Sequence, residues 1–179
     1  MVALLLVQHG QIHNLFDEVR ASEGDHRRAA FHRLVRLLAV HETAEEEVVH
    51  PFARAAFDGG AEVVDERLAE EKDAKEMLRS LEDMDTEDAK FLPVLTAFRE
   101  SMLRHARAEE RYEFTQLRRH VTPQRLAAMA LAVRAAEKLA PTHSHPGVEG
   151  VAKNIALGPV AALVDRTRDA LREALRTSG

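Results

Sequence analysis

Cysteine is absent from the 179 residues, which excludes disulfides, zinc ribbons, iron–sulfur clusters and thiol catalysis and leaves His, Asp and Glu as the strong metal ligands. There is no tryptophan and one tyrosine, and acidic residues outnumber basic ones by 30 to 25. A nucleic-acid surface needs a basic patch and stacking aromatics, so no nucleic-acid partner is expected. Glycine (8) and proline (6) are scarce beside abundant Ala, Leu, Glu and Arg; that is the composition of long helices, and the expected class is all-α. The first apolar run, Val2 to Val7, is too short to span a bilayer and has no basic segment before it, so the expectation is a cytoplasmic protein without a membrane partner. The length suits one domain with a full core.

What is present is helical periodicity. Leu5, His9, Ile12, Leu15, Phe16 and Val19 form one stripe of a first helix over Val2 to about Ala21, and Ser22 to His26 supplies a turn. A second helix, about Arg27 to Phe57, turns Phe31, Leu34, Leu37, Leu38, His41 and Glu45 inward, with Pro51 expected to kink its last turns before Asp58-Gly59-Gly60 stops it. A third, about Ala61 to Met84, presents Val64, Leu68, Glu71, Ala74, Leu78 and Leu81; a fourth, about Ala89 to Arg119, presents Leu95, Phe98, Met102, His105, Glu109 and Tyr112. Residues 1–120 thus read as a four-helix bundle. Residues 121–179 read as a helical extension: an Ala-rich helix from Thr122-Pro123 to about Leu139, a loop at Pro141 to Gly147, and helical stretches from Val148 and Pro159. Val160, Leu163, Val164, Leu171 and Leu175 make its second half amphipathic, suited to packing on the bundle or on a second copy of the chain as a homo-oligomer.

Two His-x-x-x-Glu pairs interrupt these stripes: His41 with Glu45, and His105 with Glu109. A spacing of four residues places both side chains on one helical face, and charge at a core position calls for a partner. Aligning the halves pairs His9, followed by Ile12, Leu15 and Phe16, with Glu71, followed by Ala74, Met77 and Leu78 at the same offsets. The candidate metal ligands are therefore His9, His41, Glu45, Glu71, His105 and Glu109, with Glu45 and Glu109 as bridges; Glu42, His13 and Tyr112 are secondary candidates. Two divalent metals about 3.5–4 Å apart need carboxylates to bridge them and imidazoles to complete their coordination. Iron suits that donor set, as do zinc and manganese. A zinc-protease helix would need His where Glu45 stands, and a ferritin-like site would need two Glu-x-x-His pairs in bundle positions. Neither fits.

On Gln8-His9-Gly10-Gln11-Ile12, His41-Glu42-Thr43-Ala44-Glu45-Glu46 and His105-Ala106-Arg107-Ala108-Glu109-Glu110, the chain resembles the hemerythrin-like, HHE cation-binding family over about residues 1–120. The resemblance implies an up-down four-helix bundle holding a non-haem di-iron centre that binds oxygen, buffers or senses iron, or reacts with peroxide or nitric oxide. Where that family places its third-helix histidine this chain has Glu70-Glu71-Lys72, with no His between His50 and His105. Fewer neutral ligands favour higher oxidation states or a harder metal, and Lys72 could pair with a carboxylate of the centre. The expected function is a di-iron protein that reacts with or senses peroxide or oxygen, with catalase-like decomposition as the enzymatic form. The alternative is an iron-storage or regulatory module acting through a protein partner. His26, His32, His50 and His120 read as surface or helix-end residues, and His143 and His145 as loop residues.

Overall fold

The computed structural model describes residues 1–56, 59–139 and 157–177. The helix end expected at Phe57, the loop carrying His143 and His145, and the helical start at Val148 lie outside these residues. Helix α1 spans Val2–Ala21 and α2 Gly24–Ala44. The chain continues without a break through a π-helical turn, Glu45–Val49, into α3, His50–Ala56. Then come α4 (Gly60–Glu82), α5 (Phe91–His120), α6 (Pro123–Leu139) and α7 (Leu157–Thr177). The described residues contain no strand, and none of their helices is long and apolar enough to cross a membrane.

Helix α1 packs on α2 and α5, and α4 packs on α5 and α3, closing a four-cornered bundle in which α2 and α3 form one side. Its far end is tied by one buried arginine: Arg27 donates to Ser22 O at 2.8 Å and Thr86 O at 3.0 Å and pairs with Glu87, so the α1–α2 turn and the α4–α5 loop are held together. In that loop the Asp85 and Asp88 side chains accept the N–H groups of Glu87 and Lys90. Pro93 follows in the first turn of α5, where no intrahelical N–H is needed. At the start of α4 a Cβ on Gly60 would lie 2.3 Å from Ala53 O, so only glycine permits α3 and α4 to approach there.

The apolar interior is in two parts. One cluster, with Phe16, Leu34, Leu38, Leu81, Phe91, Leu95 and Phe98, fills the far half of the bundle. The other, with Leu5, Val40, Val48, Phe114 and Leu117, takes in Met129 and Val133 of α6 and Leu171 of α7. Helices α6 and α7 pack on each other and on α2, and Arg168 and Arg172 of α7 both bond to Glu47 in the π turn. Between the clusters, α1, α2, α4 and α5 each contribute a polar residue to a buried layer.

Two expected core positions differ. Leu68 is 39% exposed and Arg67 takes its place inward; the Arg67 stem lines the interior while its guanidinium reaches Glu66 and Glu70. Tyr112 is 49% exposed and Glu113 is buried in its stead. The inward stripe of α5 advances by four residues from His105 to Glu109 and again to Glu113, which turns Tyr112 out.

Candidate metal centre

The ligand groups are built by short segments of three helices and the π turn. His9 from α1, His41 from the end of α2, Glu45 from the π turn, and His105 and Glu109 from α5 converge in the buried layer. Ligand atoms of His9, His41, Glu45 and Glu109 all lie within 4.8 Å of one another, and so do those of Glu42, Glu45 and His105. The two groups share Glu45. His41 Nε2 is 3.2 Å from Glu45 Oε1, His105 Nε2 is 3.3 Å from Glu109 Oε1, and His9 Nε2 is 3.5 Å from Glu109 Oε2.

Each imidazole is oriented from behind. His9 Nδ1–H donates to Glu110 Oε1 at 2.7 Å, His41 Nδ1–H to Gln8 Oε1 at 3.0 Å, and His105 Nδ1–H to Glu70 Oε2 at 3.0 Å. With the proton fixed on Nδ1, the Nε2 lone pair points inward, the arrangement a metal-ligating histidine needs. The donor set fits a cation by a second observation. His9 Nε2, His105 Nε2 and both carboxylate oxygens of Glu45 and of Glu109 are buried, and none makes a hydrogen bond of good geometry among the described residues. So many convergent, unsatisfied donors in one place are costly unless a cation satisfies them.

The electrostatics agree. Burial, reinforced by His9, pushes His41 down to about 3 and leaves it neutral. Burial, then the charge of Glu109, lifts Glu45 well above the usual carboxylate range. Burial also raises Glu42 to about 7, against the pull of His105. Burial pushes Glu109 the same way, but His105 and His9 hold it below the ordinary value. His105, which burial alone would lower, is raised to about 10 by Glu109. Without a cation, then, the carboxylates share too few protons among themselves and borrow charge from the imidazoles.

The π turn decides what else faces this layer. In it the His50 N–H bonds to Glu45 O, five residues back. In an α-helix a residue five positions on is rotated by about 140° from the first; the wider π turn brings it back to the same face. His50 is therefore 3% exposed, not at the surface as α-periodicity implies, and it bonds to Glu71 and Glu113. Pro51, which has no N–H to donate, follows immediately, so the chain widens its helix at this point instead of breaking it.

The remaining candidates fall as follows. Glu42 joins the second ligand group. Glu71 is buried, yet its oxygens meet His50 Nε2 and Lys75 Nζ, and it belongs to neither group. Lys72 is exposed, and Lys75, one turn on, is the lysine that reaches inward. His13 points away, paired with Asp17 and accepting from Arg99. Tyr112 is exposed and lies outside the core. Gln8, Glu70 and Glu110, which aim the three imidazoles, carried no periodic signal; the only hint was their position next to His9, Glu71 and Glu109 in sequence. A cavity of about 290 Å³ between α1 and α5 reaches His9, His41 and His105, walled by Leu6, Ile12, Phe16, Met102 and Leu103 and bordered by exposed Gly10.

The chain is similar in sequence to an uncharacterized hemerythrin-like protein of Schizosaccharomyces pombe, 30% identical over 138 residues that cover 76% of this chain and 68% of that protein. No solved structure matches at a significant level. A family model, the hemerythrin HHE cation-binding domain, matches residues 1–117, a span that covers the bundle to within three residues of the end of α5 and contains every side chain of the polar layer. The chain therefore belongs to the hemerythrin HHE cation-binding family.

Proposed function

We propose that the buried layer holds a dinuclear non-haem iron centre through which the protein reacts with, or senses, peroxide or dioxygen. The observation that supports this most is the sharing of Glu45 between two ligand groups, since a carboxylate common to both is what a metal pair requires. His9, His41, Glu45 and Glu109 would hold one metal, and Glu42, Glu45 and His105 the other, with Glu109 close enough to His105 to serve as a second bridge. Iron bound there supplies the electrons and open coordination positions that oxygen and peroxide chemistry needs. The chain's part is to aim three imidazoles through Gln8, Glu70 and Glu110, to exclude bulk water with its two apolar clusters, and to admit a small molecule through the cavity beside Gly10. With one imidazole in the second group, the centre has an acidic donor set, which favours oxidised metal and reaction over reversible oxygen carriage.

Anaerobic titration with ferrous iron should show two equivalents per chain. Admission of peroxide should then develop oxo-bridged charge-transfer absorption as the ferrous iron is oxidised, with oxygen evolved if the protein decomposes peroxide. Absorbance changes without sustained oxygen evolution would assign it to sensing. Failure to bind any iron would overturn the reading, and the His105→Ala and Glu45→Ala variants should each lose at least one equivalent.

A further inference from the structure

Beside the two ligand groups lies a buried cluster that the proposed function leaves unused: His50 between Glu71 and Glu113, each of the three 3% exposed or less. His50 Nδ1–H donates to Glu113 Oε2 at 3.0 Å and Nε2–H to Glu71 Oε1 at 2.5 Å. Both ring nitrogens donate, so the ring is an imidazolium. The other Glu71 oxygen faces Lys75 Nζ at 3.4 Å, and Lys75 is tied in turn to Glu46. Glu71 thus has two cations on one side. Its sequence neighbour Glu70 bonds to His105 Nδ1 at 3.0 Å, which sets this turn of α4 against the second ligand group. The group it adjoins, Glu42, Glu45 and His105, has three donor residues, against four in the first group.

We propose that Glu71 is a displaceable fourth ligand of the second metal position, held away from it by His50, so that His50 sets how much more weakly the second metal binds than the first. This inference rests on the dinuclear reading. Its physical basis is competition: a cation at the second position offers Glu71 the positive charge that His50 now provides, and taking it requires breaking a charge-assisted hydrogen bond. None of the four residues of the first group is hydrogen-bonded to His50 or Glu71 among the bonds of the described residues, so the exchange of Glu71 acts on the second affinity more than on the first. Metals should fill the two positions in sequence.

Cobalt(II), added anaerobically to the metal-free chain of 179 residues, is the probe, because its visible bands report each site and yield two stepwise dissociation constants. In His50→Gln a neutral amide replaces the imidazolium. The second constant should fall by at least about tenfold, the size expected from weakening one charge-assisted hydrogen bond, while the first changes by clearly less. General damage to the fold would move both constants the other way. Lys75→Met, at an exposed position, should also tighten the second site and carries the test if His50→Gln does not fold. Adding Glu71→Gln to either variant should abolish the gain. A second constant that is unchanged or weaker in the variants overturns the inference alone, as does a gain that survives Glu71→Gln, since that would be long-range charge. Absence of a second equivalent in the native chain and in every variant overturns the dinuclear reading and this inference with it.

Discussion

At the scale of single residues, the centre is a problem of protons. In the metal-free chain Glu42 titrates near 7, Glu45 binds its proton well above the usual carboxylate range, and His105 is raised to about 10. A cation must displace those protons, so binding should release them and tighten as pH rises, most steeply below about 7, where Glu42 still carries its proton. Isothermal titration in two buffers of different ionisation enthalpy, at pH 6 and pH 8, measures the release; a constant affinity across that interval would show that the layer is not the binding site. The stability of the metal-free chain should have the opposite slope. His50 and His105 have folded pKa values of about 10 against about 6.5 unfolded. Their contribution is complete below about 6.5 and is lost as pH climbs toward 10. Thermal unfolding of the metal-free chain should therefore fall from pH 7 to pH 10, and His50→Gln should flatten part of that fall.

At the scale of elements, the π turn marks the limit of what the sequence could reveal. The two His-x-x-x-Glu pairs were legible because each lies within regular α spacing, where i and i+4 share a face whatever the packing. The boundaries of α1, α4, α5 and α6 followed from the same periodicity and from their glycine and proline punctuation. His50 was hidden because it lies across the turn where the backbone hydrogen bonds span five residues instead of four, and α-counting sends it to solvent. Tyr112 and Leu68 were misplaced for a related reason: each has a neighbour almost as well placed, Glu113 and Arg67, and only the direction of the crossing helix chooses between them. Gly10 shows the converse case, a residue whose local cost is visible. It lies inside α1, where a Cβ would meet nothing within 4 Å. Gly10→Ala should thus stabilise the chain by about 0.5–1 kcal/mol in urea unfolding. Gly10→Phe, at the edge of the cavity that reaches the three imidazoles, should leave metal stoichiometry intact while slowing the reaction of the loaded protein with peroxide; an unchanged rate would mean that the small molecule enters elsewhere.

At the scale of the whole molecule, the polar layer divides one apolar interior into two, and that division sets what removing metal should do. The far cluster, with Phe16, Phe31, Phe91 and Phe98 in edge contacts, and the near cluster, which includes Leu171 of α7, contain no residue of the layer. Neither depends on a cation to be buried, so the metal-free chain should remain helical at room temperature, unlike a small zinc module that unfolds without its ion. The layer itself gains most from the ion, because it gathers unpaired carboxylates and imidazoles that repel or go unsatisfied when alone. A metal held at one hundred times its dissociation constant stabilises the folded state by about 2.7 kcal/mol. For a chain of this length each kcal/mol moves the midpoint by roughly 2–4 °C, so saturation should raise Tm by roughly 5–10 °C and chelation should reverse it. Circular dichroism at 222 nm should change little on chelation at 25 °C. Loss of helix there would show that the two clusters are too small to stand without the centre between them; an unchanged Tm in protein that holds the metal at that excess would show that the ion binds outside the layer, to folded and unfolded chain alike.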